Sequence, residues 1–119
     1  MFDGPGVTLK DDKSQKSKAA LTDMQESAAR ASAFLKTLAH EGRLMILCHL
    51  ADGEKSVGEL EALLDIRQAA VSQMLARLRA ENIVATRRDG KSIYYSLYDD
   101  GAAKVIAVLY EMFCSPDNE

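Results

Sequence analysis

Gln68, Ala69, Ser72 and Gln73 lie in a stretch where Ala70, Val71, Leu75 and Leu78 recur at helical spacing. On one helix from about Arg67 to Glu81, the first four residues occupy the exposed, N-terminal part. The apolar four face inward. Gln can pair bidentately with adenine, Ser can bond to either base type, and Ala is short enough to touch a thymine methyl. Arg67 at the helix start and Arg77 near its end carry charge suited to phosphate oxygens. A basic segment follows, Thr86-Arg87-Arg88-Asp89-Gly90-Lys91-Ser92-Ile93-Tyr94-Tyr95. In it Arg87, Arg88 and Lys91 flank a tight turn and could reach a minor groove or its phosphates. These residues have the chemistry of a reader of double-stranded DNA.

The chain has two cysteines, Cys48 and Cys114. In a reducing compartment a cysteine pair is reactive or metal-binding more often than a structural disulfide. Each is otherwise a small buried hydrophobe. Zinc and other thiophilic ions want several N or S ligands converging on one point. The histidines are His40 and His49 alone, and the neighbours Cys48 and His49 point different ways from a helix. No metal or other cofactor is expected. No CxxC, glycine-rich phosphate loop or Cys-His-Asp constellation is visible, so a thiol enzyme is not expected either.

The elements that must position these groups read as mainly α with a small β-hairpin. Lys18 to Leu38 is a helix with Leu21, Met24, Ala28, Ala31, Leu35 and Leu38 at alternating spacings of three and four, a seam suited to a partner helix. A second helix covers about Glu41 to Leu50 and stops near Asp52-Gly53. Ser56 caps a third helix, with Glu59 at the capping-box position. A turn of about three residues, Asp65-Ile66-Arg67, leads into the reading helix. Strands Ile83–Arg88 and Ser92–Leu97 form a hairpin turned by Asp89-Gly90. The last helix, about Asp100 to Phe113, is apolar nearly all round, more than one small core can cover. Helix-turn-helix followed by a basic hairpin is a winged helix. The seam and the all-round apolar helix add a homodimer. Met1–Ser17 is expected to be a disordered N-terminal tail and Ser115–Glu119 a C-terminal tail, with residues 18–114 as one DNA-binding and dimerisation domain.

At 119 residues the chain is one domain with a modest core, a size that often gains stability by dimerising. Its net charge of −3 argues weakly against nucleic-acid binding. Local charge matters more than the total. From Arg67 to Lys91 six basic residues stand against two acidic ones, a local balance of +4. No run is long enough to span a membrane, and the N-terminus has no apolar signal core. A cytoplasmic protein is expected.

The chain resembles the ArsR/SmtB family of dimeric winged-helix repressors. The resemblance rests on Leu35-Lys36-Thr37-Leu38-Ala39-His40-Glu41-Gly42-Arg43-Leu44, on Gln68-Ala69-Ala70-Val71-Ser72-Gln73-Met74-Leu75 and on the Arg87–Tyr95 hairpin. It implies a homodimer held by the first and last helices, reading an inverted-repeat operator. Two positions depart from the family pattern: Arg67 replaces the usual Ser or Thr that opens the reading helix, and Met74 replaces a frequent His. The first departure weakens the helix cap. The metal ligands of many relatives, a Cys-x-Cys in the third helix or His and acidic residues in the last, are missing here. Cys48 and Cys114 instead resemble the paired cysteines of the BigR/SqrR subgroup. That likeness implies a repressor that senses persulfides and polysulfides through a Cys48–Cys114 dithiol and leaves its operator on bridging. Peroxide, disulfide stress or a thiophilic metal would be alternative inducers on the same fold.

Overall fold

The computed structural model describes residues 14–114, with side chains from Ala20 onward. Its elements are α1 (Ser14–Leu38), α2 (Glu41–Leu50), β1 (Lys55–Ser56), α3 (Val57–Leu64), α4 (Gln68–Ala80), β2 (Val84–Asp89), β3 (Ser92–Leu97) and α5 (Asp100–Phe113). The expected tails lie outside the described residues except for Ser14–Ser17, which are helical. Gln15 and Lys16 are good helix formers and carry the frame of α1 four residues before Lys18.

The chain divides into two units, one ending at Lys36 and one beginning at Thr37. In the first, Leu21, Met24 and Leu35 of the seam are exposed. The second is the winged helix. Its core is Leu38, Ile46, Leu47, Leu50, Leu60, Val71, Leu75, Leu78, Ile83, Val84, Ala102 and Ile106, all buried. Val71, Leu75 and Leu78 share one face of α4, as their spacing requires, whereas Ala70 is only half-buried.

Local chemistry sets the element ends. The Ser56 hydroxyl accepts from Glu59 N–H at 3.1 Å, and the Glu59 carboxylate accepts from Ser56 N–H at 2.8 Å, completing the capping box. Asp65 closes α3 in the left-handed region at φ 56°, which an Asp tolerates, and so turns the chain into α4. Asp99 caps α5 through Ala102 N–H at 2.8 Å. Gly90, at φ +65°, makes the hairpin turn.

The sheet has three antiparallel strands in the order β1-β3-β2, one more than the expected hairpin. β1 is two residues long, with Lys55 opposite Tyr95 and Ser56 opposite Tyr94. It ties the segment before α3 to the wing. β2 and β3 pair from Val84 opposite Leu97 to Asp89 opposite Ser92.

Candidate nucleic-acid interface and thiol groove

Gln68, Ala69, Ser72 and Gln73 are all exposed on the first turns of α4. Arg67 is the N-cap, and its side chain makes no cap hydrogen bond. The departure at this position therefore leaves the first turn of α4 without a side-chain acceptor, and its N–H groups form a positive helix end. Met74, where relatives often carry His, packs its sulfur against Gly42. A Cβ at Gly42 would lie 2.5 Å from Met74 Sδ, so the glycine permits α2 and α4 to approach.

On the wing, Arg88 and Lys91 are exposed beside the turn. Arg87 is held. Its Nε donates to both carboxylate oxygens of Glu54, at 3.0 and 3.1 Å, and its Nη2 donates to Glu54 Oε1. Its guanidinium also stacks on the Tyr94 ring, 4.9 Å from the centroid, across the strand pair Arg87–Tyr94. The hydrogen bond from Arg87 holds the Glu54 carboxyl below the usual carboxylate range.

Arg77 is held too. Its Nε lies 2.6 Å from Glu81 Oε2. Glu81 Oε1 accepts the Thr37 hydroxyl at 2.6 Å. Thr37 and then Arg77 push the Glu81 carboxyl below its ordinary range. The four-residue spacing of Arg77 and Glu81 is a helix-pair signal present in the sequence. Sequence reading missed Glu54, Tyr94, Thr37 and Glu81 as partners, and for Glu54 no local signal exists.

Cys48 on α2 and Cys114 at the C-cap of α5 are free thiols, both exposed. They line one groove of about 760 Å³ between the two helices, with Met45, His49, Ile106 and Tyr110 among its walls. Burial by these neighbours, and next the charge of Cys114, push the Cys48 thiol above its ordinary value. Among the described residues no group of three or more His, Cys, Asp or Glu side chains could hold a metal ion.

Residues 40–86 match the family described as bacterial regulatory protein, arsR family. The chain is 54% identical over 97 residues to the biofilm growth-associated repressor of Agrobacterium fabrum, covering 82% of this chain and 83% of that one. The chain belongs to the ArsR family. Solved ArsR-type structures agree with its fold. Reduced HlyU from Vibrio cholerae superposes with a TM-score of 0.76 at 40% identity, covering 78% of this chain and 98% of that one. The transcriptional repressor BigR from Xylella fastidiosa gives a TM-score of 0.73 at 46% identity, with coverage of 79% and 96%. Membership makes this ArsR protein a DNA-binding transcription regulator of winged-helix fold and not an enzyme. Among the described residues no helix is long and apolar enough to cross a membrane.

Proposed function

We propose that the protein is a homodimeric repressor that binds an inverted-repeat operator and releases it when reactive sulfur modifies Cys48 and Cys114. The observation that carries the sensing half is the shared groove: two free, exposed thiols from elements far apart in sequence line one cleft. Likeness to a biofilm growth-associated repressor and to BigR supports the repressor half. The DNA face is Arg67, Gln68, Ala69, Ser72 and Gln73 on α4, with Arg88, Lys91 and a released Arg87 on the wing. Residues 18–114 form the functional domain. The exposed apolar residues Leu21, Met24 and Leu35 on α1 offer one surface for a dimer contact, and Val108 and Met112 on α5 offer another.

The chemistry is thiolate exchange. A cysteine thiolate attacks the sulfane sulfur of an organic persulfide, RS–SH. A new S–S bond forms, the old one breaks, RS⁻ leaves, and the cysteine becomes a persulfide. The second cysteine reacts likewise. One terminal persulfide sulfur then attacks the other cysteine's sulfur, hydrosulfide leaves, and a trisulfide spans the groove. The oxidising equivalents come from the two persulfide molecules. A plain disulfide needs Cα atoms within about 7 Å, and each inserted sulfur adds an S–S bond of about 2 Å of reach. Such a link between α2 and α5 biases the dimer toward a geometry in which the two reading helices no longer match the operator half-sites.

Mass spectrometry and mobility shift on the same samples test this reading. A persulfide donor should add sulfur across Cys48 and Cys114 and release DNA, and peroxide, which carries no sulfur, should release DNA far less. Cys48→Ser and Cys114→Ser proteins should bind DNA normally when reduced and ignore the donor. Release of a Cys114→Ser protein by persulfide would replace bridging with simple modification of Cys48.

A further inference from the structure

Arg77 stands four residues after Gln73, on the same side of α4 as the reading residues, and from sequence it serves as a phosphate contact. In the structure its partners are protein groups, the exposed Glu81 and the buried Thr37. Nε binds Glu81 Oε2 at 2.6 Å, and Nη2 reaches Thr37 Oγ1 at 3.4 Å. Thr37 is fully buried in the last turn of α1 and is the one buried polar residue among those described. Its hydroxyl donates to Glu81 Oε1 at 2.6 Å. Arg43, in the first turn of α2, donates its Nε to the Thr37 carbonyl oxygen at 2.8 Å. Both Glu81 oxygens, the Thr37 hydroxyl and the Thr37 carbonyl are thus engaged by charged or hydroxyl partners.

The apolar residues Val71, Leu75 and Leu78 hold α4 against the core, but apolar contact is non-directional. It resists lifting of the helix more than rotation about its axis. Hydrogen bonds with charged partners are directional and short. They grip α4 at its C-terminal end and its C-cap through Thr37 of α1, whose carbonyl Arg43 of α2 holds in turn. Rotation matters at the opposite end. A side chain that reads a base edge must be held within about 0.5 Å and 10–20°. The grip lies nine residues from Gln68, about 13 Å along a rigid rod at 1.5 Å per residue, so it sets the direction in which Gln68, Ser72 and Gln73 point.

We propose that Arg77, Glu81 and Thr37 form a positioning network for sequence reading, and that Arg77 acts through this network and not through a DNA phosphate. The inference rests on α4 being the reading helix. The two roles of Arg77 differ in what they do to DNA binding. Loss of a phosphate contact weakens binding to all sequences and lowers the salt slope by about one. Loss of a positioning contact leaves the electrostatic term in place and reduces discrimination.

The test compares wild type, Thr37→Val, Arg77→Met and the double variant on two duplexes: one selected by the wild-type protein from a randomised pool, and one of scrambled sequence. Thr37→Val alters no charge and nearly keeps the side-chain shape, so it separates positioning from phosphate binding. Both single variants should lose about tenfold of the preferred-to-scrambled affinity ratio, the size of one charge-assisted hydrogen bond. Their scrambled-duplex affinity and salt slope should match wild type. The double variant should be no worse than either single one, because the contacts form one unit. Assays run well below each variant's unfolding midpoint, where a purely structural defect leaves the ratio unchanged. An Arg77→Met protein with a lower salt slope and an intact ratio would overturn the proposal. So would a Thr37→Val protein that discriminates as well as wild type. If the wild type itself binds every duplex alike, the assignment of α4 as reading helix falls, and this inference falls with it.

Discussion

The guanidinium of Arg87 and the carboxylate of Glu54 are locked together across 33 positions of sequence, Nε meeting both carboxylate oxygens. Glu54 follows α2, the helix of Cys48, and Arg87 belongs to the wing. The carboxylate occupies the donors that the proposed wing contact would offer to a DNA phosphate. Glu54→Gln should therefore free Arg87, raise DNA affinity and steepen the salt slope by about one phosphate. Stability should barely change, because the pair is solvent-exposed. Titrations at several salt concentrations check this. Weaker binding by the variant would show that Glu54 aims Arg87 at DNA and does not withhold it.

Gln68 and Ser72 share the exposed start of α4, so truncating either leaves the buried face of the helix intact. Replacing either with Ala should cost about 1–3 kcal/mol on the preferred duplex and little on a scrambled one. Fluorescence anisotropy on both duplexes measures the difference. Equal losses on the two would move base reading away from these side chains.

Cys48 is pushed above its ordinary thiol range, first by burial and then by Cys114. A raised pKa favours the thiol, so Cys48 should be mostly protonated near neutrality and its alkylation should climb as pH rises through the shifted value. Cys114→Ser removes the second cause and lowers the pKa toward ordinary. It should speed alkylation of Cys48 at fixed pH, by less than the tenfold of about one full unit. Timed iodoacetamide labelling with peptide mass spectrometry follows this. Slower labelling in the variant would contradict the electrostatic coupling of the two sulfurs.

Val108 and Met112 lie four residues apart on α5, each more than half exposed. Water against two such side chains is a standing cost that a partner helix would remove. Replacing both with Asp should weaken self-association at least about tenfold while leaving the monomer folded, since neither belongs to the core. Sedimentation with circular dichroism separates the two effects. An unchanged mass would place the dimer contact elsewhere.

Local rules were enough for much of this protein. Ser56 and Glu59 announce a cap because both partners lie within one turn, and Val71, Leu75 and Leu78 announce a buried face because a helix repeats every 3.6 residues. The same periodicity placed Gln68 and Ser72 on the exposed side. A two-residue strand carries no periodicity, so β1 became visible only when Tyr94 and Tyr95 supplied its pairing partners. The partners of the arginines followed the same division. Arg77 and Glu81 are neighbours on any helix. Thr37 joins them from forty positions away, and Glu54 meets Arg87 from thirty-three, because packing and not spacing brings them together. Sequence therefore determined which side chains could read DNA or carry sulfur. The tertiary structure decided which arginines are held within the protein and brought Cys48 and Cys114 to one groove, since hydrogen bonds and thiol pairs depend on distance through space.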